Sequence, residues 1–462
     1  MAATNNTVPT QEQRESPVSF RDAFLYWLKL GFINFGGPTG QIAIMHDELV
    51  ERRRWISNER FLHALNFCML LPGPEAQQLA IYIGWLLHRT LGGLVAGIFF
   101  VLPSFFVLLG LSWIYALHGK VPSVAAVFQG LRAAVIAVVI LAVIRIGSKA
   151  LRHPMQVGIA AFAFVAIFFL KVPFPAIVLG AGLFGLVSRR FWPRAFLPPI
   201  TNEQKTNAAA VIDNTVSDWE HRQAGLGRAL MVLSIGLLAW WGPLVLVIWW
   251  RGGDDVLAQE AVFFSKAAMV TFGGAYAVLA YLAQAAVNHY GWLKPAEMLD
   301  GLGLAESTPG PLIMVTQFVG FMGAYRNPGG LDPLIAGTLG AVVTVWATFA
   351  PCFLWIFLGA PFIEQLRGNR ALNAALSAIT AAVVGVVLNL AVWFGLHTLF
   401  ASVTEEAAGI LVIPAPKILS LDLLALLLAS VSFIGMWCLR WLMIPVLLGS
   451  AVLGLLVRTL FR

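Results

Sequence analysis

Residues 35–37 read Phe-Gly-Gly within FGGPTGQIAIMHDELVERRRWIS (35–57), and residues 272–274 repeat them within FSKAAMVTFGGAYAVL (264–279). The separation is 272 − 35 = 237. Carrying it along the chain sets Lys29 on Lys266, Trp55 on Trp292, and Pro72-Gly73-Pro74 on Pro309-Gly310-Pro311. After an insertion containing Arg326-Asn327-Pro328-Gly329-Gly330 the offset becomes 248, so Pro103 falls on Pro351 and Ala133-Ala134-Val135 on Ala381-Ala382-Val383. Matches at this many Trp, Pro and Gly positions mark an internal duplication.

In each half the FGG and PGP motifs interrupt apolar segments too short to cross a bilayer alone. Phe24 to Phe35 and Phe61 to Leu71 each make roughly 17 Å of helix. A new helix can restart after each motif, with Pro38 or Pro74 in its first turn, where a missing N–H costs little. Broken or re-entrant helices follow, and irregular backbone at membrane depth is tolerated only when packed in protein or lining a cavity. Paired Gly/Pro interruptions at matching places in two halves are the sequence pointer to a transporter site.

Composition agrees. Of 462 residues, 59% are hydrophobic and only 11% charged, against about 25% charged in soluble domains. A cytosolic enzyme, a disordered chain and a disulfide-rich secreted scaffold are excluded. Cys68, Cys352 and Cys438 show no metal-ligand or disulfide spacing, so no metal and no cofactor is expected. The net charge of +7 comes from basic clusters in short loops, the pattern of cytoplasmic loops rather than of nucleic-acid binding.

The expected fold is therefore an all-α polytopic membrane protein of two inverted-topology repeats. Residues 1–19 form a polar cytoplasmic tail without a signal peptide's apolar core. Residues 20–194 form the first repeat, 195–225 a polar cytoplasmic linker, and 226–462 the second repeat with an extra spanning helix at 226–250. Further spans fall near 91–117, 124–146, 155–170, 173–189, 333–358, 374–400, 418–438 and 441–457. The cluster Glu51-Arg52-Arg53-Arg54 has no arginine counterpart around Asn288 to Lys294. With Arg145/Lys149/Arg152, Arg189/Arg190/Arg194 and Arg367/Arg370 cytoplasmic, the halves run in opposite senses.

The two stretches quoted above, with LNFCMLLPGPEAQQLAIYIGWLLHRTLGGLVAGIFFVLPSF (65–105) and ESTPGPLIMVTQFVGF (306–321), resemble the chromate ion transporter family in its long-chain, two-domain form. The resemblance covers all but the N-terminal tail and the linker. It implies a multi-pass protein of the bacterial inner membrane that exports chromate, driven by the proton-motive force, with sulfate as the look-alike substrate. A homodimer is one assembly compatible with it.

The residues support an oxyanion site on their own terms. Helix N-termini offer orphan amides and about half a positive charge each. Four starts, at Gly36/Gly37, Gly73, Gly273/Gly274 and Gly310, would converge if the halves face each other, and Pro72, Pro309 and Pro311 complete the motifs. Lys29, Lys266 and Arg132 are cations at depth, where charge is costly and usually functional; snorkelling, or pairing with a carboxylate, is the alternative for each. Asn34, Gln41, Gln77, Gln78, Thr308 and Gln317 could hydrogen-bond oxyanion oxygens or simply glue helices together. Glu75, beside PGP, is either a cap or a proton carrier, and Glu306, before TPGP, is the second candidate for proton coupling. No HExxH, no Ser/His or Ser/Lys pair and no nucleotide-binding motif point to an enzyme or a primary pump. An oxyanion channel using the same helix ends is the other reading.

Overall fold

A computed structural model of the chain describes residues 18–35, 37–119, 121–192, 196, 225–272, 274–362, 370–409 and 411–460. Gly36, Gly273, Arg194, Arg367, the tail to residue 17 and most of the 195–225 linker lie outside the described residues.

The first repeat opens with α1 (Phe20–Ile33), capped by Ser19, whose hydroxyl accepts from the Asp22 amide. Next come α2 (Gly37–His46), a π-helical turn (Asp47–Arg52) and α3 (Asn58–Cys68). The long segment α4 (Glu75–His118) is non-helical at His88 and Arg89. There it folds back on itself: a Cβ on Gly84 would lie 2.5 Å from the Gly92 carbonyl, and Gln77 donates to the Gly97 carbonyl at 3.4 Å. Then follow α5 (Pro122–Ala150), α6 (Pro154–Phe168) and α7 (Phe174–Ser188), each with proline in its first turn.

After α8 (Leu226–Arg251) the order recurs as α9 (Val256–Met269), α10 (Ala275–Ala283) with a π-helical turn (Gln284–His289), and α11 (Pro295–Ser307). The two π-turns begin at 47 and 284, and α3 and α11 at 58 and 295, both 237 apart. A 3₁₀ turn (Leu312–Met314) leads into α12 (Val315–Arg326), then α13 (Pro333–Gly359), so the chain reverses between α12 and α13 where α4 folds back. Helix α14 (Arg370–Leu399) starts 370 − 122 = 248 residues after α5. A β-hairpin, β1 (Val403–Ala408) antiparallel to β2 (Leu411–Pro416), precedes α15 (Leu423–Trp437) and α16 (Met443–Leu460). This hairpin was not expected from the sequence.

Among the described residues, six helices are long and apolar enough to cross a membrane: α4, α5, α8, α13, α14 and α16. The chain is an all-α polytopic membrane protein apart from the one hairpin. Its halves are interlocked. Helices α6 and α7 of the first repeat pack on α14 of the second, and α15 and α16 pack on α5 of the first. Small residues allow this: a Cβ on Gly130 of α5 would collide with the Ser450 carbonyl of α16, and one on Gly385 of α14 with the Ala160 carbonyl of α6. Close backbone approach through small residues is how helices associate where lipid removes the hydrophobic driving force.

Candidate functional site

Helix α1 ends at Ile33, and Asn34 leaves helical geometry (φ −84°, ψ 72°). Its carbonyl accepts a hydrogen bond from the Gly310 amide at 2.7 Å, and the Thr271 carbonyl accepts one from the Gly73 amide at 2.8 Å. These are one bond seen twice, since 34 + 237 = 271 and 73 + 237 = 310. Each FGG break is thus tied to the PGP break of the other repeat. Gly37, Gly73, Gly274 and Gly310 have φ of +66°, +129°, +101° and +116°, a region that side chains with a Cβ seldom enter.

The four glycines face different surroundings. A Cβ on Gly73 would lie 2.7 Å from Gln78 Nε2 and 2.9 Å from Cys352 Sγ, and one on Gly310 would run into Ser104. Ser104 and Cys352 are themselves repeat mates, 352 − 104 = 248. By contrast nothing lies within 4 Å of a Cβ on Gly37, and the nearest atom to one on Gly274 is Glu75 Oε1 at 3.5 Å. Room for a ligand beside the backbone is therefore at the starts of α2 and α10, whereas Gly73 and Gly310 are packing positions. Glu75 opens α4 and lies against the start of α10, where the helix dipole favours negative charge.

Polar side chains crowd this crossing, but most donors are spent. Gln41 Nε2 donates to the Gly310 carbonyl (2.7 Å), Gln78 Nε2 to Pro72 (2.8 Å), Gln317 Nε2 to Phe105 (2.9 Å) and Thr308 Oγ1 to Ala305 (3.2 Å). What remains unpartnered is Oε1 of Gln41, Gln77, Gln78 and Gln317, Ser104 Oγ, and both amide atoms of Asn34, which is 0% exposed. Among the neutral side-chain candidates at the crossing, Asn34 Nδ2 is the donor left for an oxyanion; the free glutamine oxygens are acceptors, suited to water or a protonated group.

Lys29 and Lys266 are both exposed on their helices. Arg132 is bound elsewhere: its Nε and Nη2 donate to Oδ1 and Oδ2 of Asp300 at 2.6 and 2.7 Å, and Tyr115 Oη donates to Oδ2 at 2.7 Å. Asp300 is 0% exposed, so this bidentate pair joins α5 of the first repeat to α11 of the second inside the protein. Glu306, 4% exposed, accepts from Tyr276 Oη at 2.7 Å. Trp55 lies under the Arg53 guanidinium (4.9 Å), which also meets Tyr26 and donates to Glu48 Oε1 at 2.9 Å. That contact holds the Glu48 carboxyl below its ordinary value, the Arg53 hydrogen bond being the largest cause. Trp292, stacked on Tyr290 at 4.3 Å, offers its carbonyl to Arg326. Both tryptophans and Arg53 are thus held in packing contacts.

Sequence reasoning named Glu75 and Glu306 as the acids at depth and passed over Asp300 and Glu260. The signal was present: Glu260 is the single acid within α9, and Arg132 required a counter-charge. Ser104 and Cys352, which seat the PGP glycines, carry no such signal in a single sequence.

A family model described as chromate transporter matches residues 21–186 and 258–455. A chromate transport protein of Pseudomonas aeruginosa is 30% identical over 458 residues, 98% of this chain and 95% of its own. One from Cupriavidus metallidurans is 30% identical over 387 residues, 84% of this chain and 83% of its own. An uncharacterized transporter of Bacillus subtilis is 26% identical over 165 residues, which is 35% of this chain but 93% of the relative. No solved structure matches the chain.

Proposed function

The chain belongs to the chromate transporter family, and from that premise we propose that it is a secondary transporter of the bacterial inner membrane, exporting chromate or the similar dianion sulfate at the expense of the proton-motive force. The reciprocal bonds Gly73–Thr271 and Gly310–Asn34 carry the reading. They bring four interrupted helices to one crossing and leave the starts of α2 and α10 open. Inverted topology, with each interrupted pair re-entering the membrane rather than crossing it, would put that crossing near mid-membrane. There the first-turn amides of two helices and Asn34 Nδ2 would hold the oxyanion without a fixed cation to trap it.

Glu75 stands over the start of α10 and Glu306 lies behind it on Tyr276. In this reading a proton on either acid relieves repulsion of the bound dianion, linking proton and substrate binding. Exit of a dianion is already favoured by about 4.6 kcal/mol per 100 mV, inside negative, so coupling matters most against a substrate gradient. The test is uptake of labelled chromate and labelled sulfate into everted vesicles with and without a pH gradient. Accumulation that collapses with the gradient supports the transporter. Flux that only follows the electrochemical gradient of the anion assigns the same helix ends to a channel.

A further inference from the structure

Glu260, one turn into α9, is 0% exposed, and neither carboxyl oxygen has a hydrogen-bond partner among the described residues. Three glycines make its niche. A Cβ on Gly323 of α12 would lie 2.8 Å from Oε1, and one on Gly340 of α13 would lie 2.9 Å from Oε2. Gly320 lets the Thr344 hydroxyl, also buried and unpartnered, fit into the same α12–α13 seam. The repeat mate of Glu260 is Ala23 (260 − 237), buried on α1. The first repeat therefore has a buried methyl group at the matching position, where the second has a carboxyl.

Among the described residues no neighbouring charge balances it. Helix α9 packs against α8, α10, α12 and α13. Asp255, the α9 cap, is itself acidic and is held by Arg251 of α8 at 2.9 Å. Arg326 of α12 is taken by Glu297 and by the Trp292 carbonyl. Helix α13 offers only Cys352 and its cap Asp332, whose carboxyl accepts from the amides of Leu334 and Ile335. On α10 the titratable groups are Tyr276, bound to Glu306, and Tyr281. An ionised carboxylate without partners in such a place is far more costly than a neutral acid.

We propose that Glu260 is a proton-binding site of the second repeat, carrying a proton in the closed packing seen here and releasing it to water when α9 parts from α12 and α13. The same helix carries Lys266 and leads to Thr271 and Gly274, so the proton acts on the element that forms one side of the oxyanion crossing. That consequence, though not the proton site itself, rests on the transporter reading.

The first experiment needs no transport. Infrared titration of the purified protein in lipid should show, at neutral pH, a protonated-carboxyl component that Glu260→Gln removes, that Glu260→Asp retains, and that is lost as pH is raised. Dicyclohexylcarbodiimide, which attacks protonated carboxyls in apolar settings, should label the peptide holding Glu260 less as pH rises. A wild-type spectrum that loses no protonated-carboxyl component on Glu260→Gln substitution, or a carboxyl that stays ionised across the whole range or responds only to sodium, overturns the proposal. In proteoliposomes Glu260→Gln should keep chromate counterflow and lose about tenfold of its gradient-driven acceleration. Full acceleration in that variant refutes coupling through Glu260. A wild-type protein that ignores the gradient refutes the transporter reading and leaves the proton site to the infrared result.

Discussion

Arg132 and Asp300 form the one ion pair described here that is bidentate, buried on its acidic side and shared between the repeats. Removing the arginine strands a buried carboxylate, a loss of about 3–5 kcal/mol, whereas removing both charges is often close to neutral. Arg132→Gln should therefore lower the unfolding temperature sharply, and Arg132→Gln with Asp300→Asn should recover most of it. Equal stability of the single and double variants would remove the pair from the structural account and return Arg132 to the list of oxyanion ligands. At the protein's edge, the sign of the pH effect is set by Glu48, whose carboxyl Arg53 holds below its ordinary value. A depressed carboxyl adds stability above its unfolded value and loses it as pH falls through the folded one. Wild type should thus be more stable than Glu48→Gln at neutral pH, with the difference shrinking once pH falls below the ordinary glutamate value of about 4.3 and gone only below the lowered folded value. A difference that persists in acid would show that Arg53 is held by its rings alone.

Among the elements, the interrupted helices divide into two kinds of break. Gly37 and Gly274 open onto space, while Gly73 and Gly310 are filled against Gln78, Cys352 and Ser104. Gly37→Ala should cost only the strain of a left-handed residue, about 1–2 kcal/mol, yet impair chromate flux by intruding where the anion would lie. Gly310→Ala should instead reduce the yield of folded protein, because its methyl collides with Ser104. Folded yield and flux measured side by side separate the two; equal loss of both at Gly37 would make it a packing position as well. These breaks were legible because glycine and proline punctuate helices wherever they stand. The fold-back at His88 and Arg89 was not, since neither residue is a breaker, although its repeat counterpart announces itself through Asn327-Pro328-Gly329-Gly330. The hairpin over 403–416 escaped for a similar reason: Thr404 to Ala408 has weak strand preference, and Gly409 (φ +66°) is its one clear turn signal.

For the whole molecule, orientation is the first thing to measure. Glu51 and Asn288 are matched exposed residues of the two π-turns, 288 − 51 = 237. Single cysteines there should react with an impermeant reagent from opposite sides of the membrane, and reaction from one side would defeat the inverted arrangement. The background can be freed of cysteine gently, because Cys352 occupies the place held by Ser104 in the first repeat. Helix positions and the matched glycine-proline motifs could be read from one sequence, since each is a local pattern or a pattern compared with itself. Which helix packs on which could not: the apolar faces of α5 and α14 look alike, and the choice is made by glycines such as Gly130 and Gly385 meeting a particular carbonyl. That interlocking has a consequence in time. Helix α7 ends at Ser188 and its partner α14 begins at Arg370, so 370 − 188 = 182 residues are synthesised before α6 and α7 can dock. At about 5–20 residues per second, the α6–α7 pair waits on the order of 10–40 s with its small-residue face turned to lipid or to the insertion machinery. A ribosome that stalls in the second repeat would therefore leave an inserted but unfinished first repeat, recognisable to membrane proteases by a seam that only the missing half can close.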